Sequence, residues 1–247
     1  MSTILCFSGG LDSLAAYYYL GRPRTVYFDY GGGYCKKELT AVKSLVPDTI
    51  IDKSLELYKD AIGPNAYIPY RNLLFALRAA KYGHNIIIAG IKDDVVADKS
   101  PHAFNVMTIA MQQLDTREVT VTSPFWEFTK EDIVKYLLAI PNGMHKIMQS
   151  TSCYHPTMNF CGKCPSCFRK ACAVKAFGIE LNFTNVDMVR EYLQRAREGK
   201  YILERNNSII RYATDYLNKI NREKSVDPIQ RNHEKVQKLK EQWGKPK

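Results

Sequence analysis

The six residues Ser8-Gly9-Gly10-Leu11-Asp12-Ser13 limit most sharply what this chain can fold into, because they sit between the apolar run Ile4-Leu5-Cys6-Phe7 and the apolar segment Leu14-Ala15-Ala16-Tyr17. An apolar run of strand length, two glycines and a polar-capped apolar segment predict a strand, a tight loop and a helix N-terminus. Glycines let backbone N–H groups turn toward a ligand without an intervening Cβ, and the helix behind them adds unsatisfied N–H groups and a positive dipole end. Ser8 and Ser13 add hydroxyl donors, and Asp12 is the candidate for holding magnesium against phosphate oxygens. The pattern describes an anion site. It is not the Walker form, since no Gly-Lys-Ser/Thr follows.

Further along, strands and helices alternate. The first helix is expected from about Asp12 to Leu20, a second strand over Thr25 to Phe28, and a helix over Cys35 to Val46 after the glycine-rich Asp29 to Gly33. A short strand around Thr49 to Asp52 precedes an irregular stretch, Lys53 to Pro69, read as a loop folding over the site. Arg71 to Tyr82 has helical spacing, and Asn85 to Ile91 is the continuous apolar run of a central parallel strand buried on both faces. Helices are expected from Pro101 to Leu114 and from Thr129 to Leu138, with a strand at Glu118 to Thr122 between them. This alternation predicts an α/β fold, a Rossmann-like doubly wound parallel sheet, over residues 1–150.

Residues 151–180 form a second region. Cys153, Cys161, Cys164 and Cys167 follow the spacing C-x7-C-x2-C-x2-C, with Gly162 and Pro165 interleaved. Four thiolates so spaced wrap a tetrahedral zinc ion and leave no open position, so the site is structural; an iron–sulfur cluster uses similar ligands. Cys6, Cys35 and Cys172 lack metal spacing and read as packing residues. Residues 181–247 are read as a helical C-terminal extension, with helices over Thr184 to Glu198, capped by Thr184, and over Asn207 to Ile220, capped by Asn207 or Ser208.

The formal charge is +10, and Asn221 to Lys247 contributes eight Lys/Arg against four Asp/Glu. A solvated basic helix accounts for this tail more economically than direct nucleic-acid binding. Seven cysteines without a secretory pattern, and no apolar run of membrane-spanning length, lead to the expectation of a soluble cytoplasmic protein.

The full six-residue loop resembles the signature of the PP-loop ATP pyrophosphatases, which split ATP between the α and β phosphates. Four further motifs follow in order: Arg71-Asn72-Leu73-Leu74-Phe75, the strand end Gly90-Ile91, the helix start Thr129-Lys130, and the cysteine segment from Thr151 onward. Together they resemble the 7-cyano-7-deazaguanine synthase family over roughly residues 1–177. The resemblance implies an ATP-dependent ligase that converts a small deazapurine carboxylate and ammonia to a nitrile through acyl-adenylate and amide intermediates, and it implies a homodimer. It further implies structural zinc, and magnesium with ATP. On this reading Ser8, Gly9, Gly10, Leu11, Asp12, Ser13 and Gly90 bind the nucleotide, while Asp12, Ser13, Lys130 and Arg71 carry catalysis.

Two stretches depart from the family pattern. Gly31 to Lys37 stands where the family has Gln-Arg-His, although Tyr30 and Glu38 remain, and Ser100-Pro101-His102-Ala103 stands in place of Tyr-Pro-Asp-Cys. Asp94 and Asp98 are the candidates for replacing the lost base-reading aspartate. These departures keep open a divergent PP-loop enzyme that adenylates another acid, stops at the amide or transfers the acyl group to another amine. A zinc-stabilised nucleic-acid-binding module without turnover is the alternative from another class.

Overall fold

A computed structural model describes residues 2–62, 67–94, 96–151 and 153–225. Its centre is a five-stranded, wholly parallel sheet of β1 (Thr3–Cys6), β2 (Arg24–Phe28), β3 (Ile50–Asp52), β4 (Asn85–Ile88) and β5 (Thr120–Thr122), in the order β3-β2-β1-β4-β5. The chain moves outward from β1 to β3, then returns to place β4 on the other side of β1. Loops leaving the carboxyl ends of β1 and β4 therefore diverge and open a crevice.

Strand side chains alternate between two cores, as the two-residue period requires. Leu5, Tyr27 and Ile87 pack with α1 (Leu11–Tyr19), α2 (Cys35–Leu45), α5 (Lys130–Ala139), α6 (Gly143–Gln149) and the later part of α7 (Pro165–Lys175). Their neighbours Ile4, Val26, Phe28, Ile86 and Ile88 face α3 (Arg71–Ala79) and α4 (Pro101–Leu114). Burial on both faces explains why the strands read as unbroken apolar runs. A third cluster joins Phe168, Ala171 and Cys172 of α7 to α8 (Val186–Arg197) and α9 (Leu203–Ser225).

Several boundaries differ from expectation for identifiable reasons. The central strand stops at Ile88 rather than Ile91, because the Ser123 hydroxyl accepts from Gly90 N–H at 3.0 Å and donates to Gly90 O at 2.6 Å, replacing ladder partners. The cap of α8 is Asn185, whose side chain accepts from Met188 N at 3.1 Å; Thr184 instead bonds Gly162 O, anchoring the cysteine segment. The last helix begins at Leu203, not Asn207 or Ser208. The short helix α6 was not anticipated: its glycine sits where an added Cβ would lie 1.9 Å from Leu137 O, so the chain turns directly under α5. Of the stretch expected to cover the site, Leu57–Asp60 forms one 3-10 turn, and Leu57 and Ile68 pack with Tyr30 and Cys35. The basic tail beyond residue 225 lies outside the described residues. Among those described, no helix is long and apolar enough to cross a membrane.

Candidate active site

The loop between β1 and α1 turns at Gly9, whose φ of +72° falls in the left-handed region that glycine enters without penalty. Ser13, in the first turn of α1, donates its hydroxyl to Gly10 O at 3.1 Å, and its Oγ accepts from Ser8 N at 3.3 Å. The Ser8 and Ser13 hydroxyl oxygens are 3.3 Å apart. No side chain caps α1, so its first N–H groups are left without a side-chain acceptor. Here a helix N-terminus, exposed loop amides and two hydroxyls converge, the donor set that suits phosphate oxygens.

Lys130 closes one side of this loop. Thr129 begins α5 through a reciprocal capping box with Asp132, which fixes the first turn and aims the Lys130 side chain toward α1. Lys130 Nζ donates to Asp12 Oδ1 at 2.6 Å and Oδ2 at 2.7 Å, with both side chains largely buried. Burial pushes the Lys130 pKa down; Asp12 opposes this, while the nearby Arg169 charge adds to it. The result is an ammonium in a partly dry site beside the loop between β1 and α1, where its field is strong.

Behind it, Arg169 donates to Asp94 at 2.9 Å and Asp93 at 2.8 Å, and Lys99 pairs with the other Asp94 oxygen at 2.8 Å. Burial works against ionising Asp94, but Lys99 and Arg169 outweigh it and hold its pKa well below the usual carboxylate range. Asp98 receives Asn72 N–H at 3.1 Å and Asn72 Nδ2 at 2.9 Å, so it serves the N-terminal turn of α3. Both aspartates offered as base readers are thus committed to protein partners.

The opposite wall is aromatic and acidic. Tyr27, Phe28, Tyr30, Tyr34, Phe75 and Tyr154 line the same cleft as the loop, together with Glu38 and Arg71. Tyr27 donates to Glu38 Oε2 at 3.1 Å, and Tyr30 donates to Tyr34 Oη at 2.7 Å. Burial raises the Glu38 pKa from 4.5 to about 7 against the opposing pull of Tyr27, Arg71 and Lys37. This carboxyl therefore sits near its titration point at neutral pH.

Of the residues singled out in the sequence, Ser8, Gly10, Leu11, Asp12, Ser13, Arg71 and Lys130 line this one cleft. Gly9 supplies the turn from behind, packed on Ala41 and Val42 of α2. Gly90 is not among the residues that line it, although Ile88 and Ala89 are; Trp126 packs on Gly90 so closely that an added Cβ would meet its ring at 2.3 Å. Sequence reasoning passed over Tyr154, Lys99, Ser166 and Thr151, which line the cleft, and the buried Lys37 and Lys170. Lys37 Nζ donates to Cys153 O and, at 2.8 Å, to His155 O; Lys170 Nζ donates to Ile147 O and Ser150 O, both at 2.8 Å. The helical pattern alone had no signal for them, because their partners lie far off in sequence.

The four cysteine sulfurs all lie within 4.8 Å of one another, with Cys161 to Cys167 at 3.9 Å and Cys153 to Cys164 at 4.0 Å. A tetrahedron with Zn–S bonds of about 2.3 Å has edges near 3.8 Å, so the sulfurs fit a metal such as zinc. Cys164 caps α7, which places the metal-ligand set at the start of the helix that carries Arg169 and Lys170.

A family model described as queuosine biosynthesis protein QueC matches residues 38–178, more than half of the chain. Among curated proteins, a 7-cyano-7-deazaguanine synthase of Persephonella marina is 26% identical over 219 residues, covering 72% of this chain and 94% of its own length. Proteins of the same name from Nitratiruptor sp. and Chlorobium phaeobacteroides are each 25% identical, covering 68% and 73% of this chain and 90% and 95% of their own.

Proposed function

This chain belongs to the family of the queuosine biosynthesis protein QueC, and from that membership we propose that it is an ATP-dependent carbon–nitrogen ligase converting 7-carboxy-7-deazaguanine and ammonia to 7-cyano-7-deazaguanine. The observation that carries the reading is a single cleft holding the phosphate loop and the Lys130–Asp12 pair on one side, and the Arg71, Glu38 and tyrosine wall on the other.

A carboxylate is a poor electrophile until one oxygen becomes part of a leaving group. In the proposed sequence a carboxylate oxygen attacks the α phosphorus of ATP, the α–β bond breaks, and pyrophosphate departs from an acyl adenylate. Ammonia attacks the acyl carbon, loses a proton and displaces AMP, leaving the amide. The amide oxygen then attacks a second ATP in the same way, and loss of the remaining N–H protons with AMP leaves the nitrile. Each carboxylate oxygen thus leaves on one AMP.

The chain's part is electrostatic. Amides at the start of α1, the Ser8 and Ser13 hydroxyls and the Lys130 ammonium stabilise negative charge gathering on pyrophosphate. Arg71 holds the acid's carboxylate or a phosphate at the opposite wall. Asp12, whose two oxygens share Lys130 Nζ, is the hard oxygen ligand that would hold magnesium brought with the nucleotide, and the ion would supply further charge neutralisation. The cysteine tetrad, holding zinc, fixes the start of α7 and takes no part in turnover.

A second reading rests on one observation. Because Asp94 and Asp98 are bound by Arg169, Lys99 and Asn72, neither replaces the base-reading acceptor, which favours an enzyme acting on a different acid or stopping at the amide. Acid-dependent pyrophosphate release and the mass of the product together separate the two. Release with 7-carboxy-7-deazaguanine, ATP, magnesium and ammonium, ending in the nitrile, is expected; release only with other acids, or an amide as the end product, establishes the second reading, and release with none refutes both.

A further inference from the structure

Thr151 joins the phosphate loop to the cysteine segment. Its N–H donates to Gly9 O at 2.9 Å, and its carbonyl lies against Gly10, where an added Cβ would meet it at 3.4 Å. On one side of it Lys170 Nζ donates to Ser150 O and Oγ, and on the other Lys37 Nζ donates to Cys153 O and His155 O. Two buried ammonium groups therefore pin the backbone around Thr151 to α7 and to α2.

Within this clamp the residue is 1% exposed and its Oγ1 has no hydrogen-bond partner. A hydroxyl shut away from water without a partner destabilises a folded chain, and each one calls for an explanation. Nothing in the packing supplies it, since a methyl group in place of the hydroxyl would fill the same space without the polar penalty. Thr151 lines the same cleft as Ser8, Gly10 and Ser13. There the Ser8 and Ser13 hydroxyls satisfy one another within the loop, whereas the Thr151 hydroxyl is left over. Hydroxyl and methyl share one Cβ, so a change of χ1 well re-aims Oγ1 within this lining position. A neutral donor beside loop amides and a helix N-terminus suits a tetrahedral oxyanion.

Resting on the reading of this loop as a nucleotide site, we propose that Thr151 is a further phosphate-binding residue, its Oγ1–H donating to a phosphate oxygen of the bound nucleotide. The ligand supplies the missing partner, so the site is destabilised when empty and satisfied when filled. No covalent step is involved.

The test compares wild type, Thr151→Val and Thr151→Ser by thermal unfolding, with and without excess α,β-methylene-ATP or inorganic pyrophosphate in magnesium buffer, and by the rate of acid-dependent pyrophosphate release. Without ligand, Thr151→Val is expected to melt at or above wild type. Its ligand-induced rise in Tm should shrink, and its rate should fall about ten- to hundredfold, the size of one hydrogen bond to a charged group. Thr151→Ser, which keeps the hydroxyl but loses a buried methyl, should melt lower yet keep the ligand shift. Between the two variants, activity and stability then rank in opposite orders. A valine variant with wild-type ligand shift and rate overturns the proposal. So does a serine variant that loses the ligand shift, and this decides the matter should the valine variant not fold. A wild type stabilised by neither ligand removes the nucleotide reading itself, whereas a shift present in wild type and intact in the valine variant removes only the role of Thr151.

Discussion

Replacing Glu38 with glutamine should stabilise the protein above neutral pH, and the size of the effect follows from the environment of that carboxyl. Glu38 lies in the cleft wall, half-buried among Tyr27, Tyr30 and Tyr34, and burial raises its pKa from 4.5 to about 7. Between those two pH values the folded chain keeps a proton that the unfolded chain has released, so its stability falls as pH rises. Above about pH 7 the folded state carries the full penalty of an ionised carboxylate in a poorly solvated wall, roughly 3 kcal/mol for a displacement of this size. Below about pH 4.5 both states hold the proton and the penalty vanishes. Glutamine keeps the acceptor for the Tyr27 hydroxyl and never ionises. Glu38→Gln should therefore exceed wild type by roughly 1 kcal/mol at pH 5 and roughly 3 kcal/mol at pH 8. For a chain of this size that is a rise in Tm of about 5–10 °C at the higher pH. Denaturant or thermal unfolding of both proteins across that range provides the measurement. A variant no more stable than wild type at pH 8, or a difference that does not grow with pH, would refute the reasoning. A residue that costs stability in the empty cleft is the kind that function retains.

Three other outcomes follow from the same geometry. Asp12→Ala removes both acceptors of Lys130 Nζ, and it should destabilise the protein by about 3 kcal/mol and abolish acid-dependent pyrophosphate release; retained release would disprove the role of the pair. Arg169→Met strips Asp93 and Asp94 of their shared partner, leaving Asp94 with Lys99 and the Ile91 N–H, and should also lose about 3 kcal/mol in a denaturant titration. Cys161→Ser should reduce bound zinc, read by elemental analysis, and lower the Tm of the region built on α7; unchanged metal content would contradict the four-thiolate site.

What could be read from the sequence was what is contiguous in it. The Ser8 to Ser13 loop carries its turn, its hydroxyls and its helix start in six consecutive residues, and the four cysteines announce themselves by spacing. Apolar runs such as Ile86 to Ile88 fixed the parallel sheet, because strands covered on both faces have no polar side to interrupt them. Features that depend on distant partners were hidden. Lys37 meets the carbonyls of Cys153 and His155, Arg169 meets Asp93 and Asp94, and Thr151 meets Gly9, each across a long stretch of chain. For the same reason Asp94 and Asp98 read as free acceptors, since nothing near them in sequence reveals the cations and amides that occupy them. The cap of α8 moved from Thr184 to Asn185 because Thr184 is engaged by Gly162, a tertiary contact that outweighs local preference.

The most direct test of the account is the mass of the product and its ratio to AMP when the purified protein turns over 7-carboxy-7-deazaguanine with ATP, magnesium and ammonium. The account predicts a nitrile, with two AMP and two pyrophosphate formed for each. An amide as the end product with one AMP each, or no acid-dependent AMP at all, would contradict it.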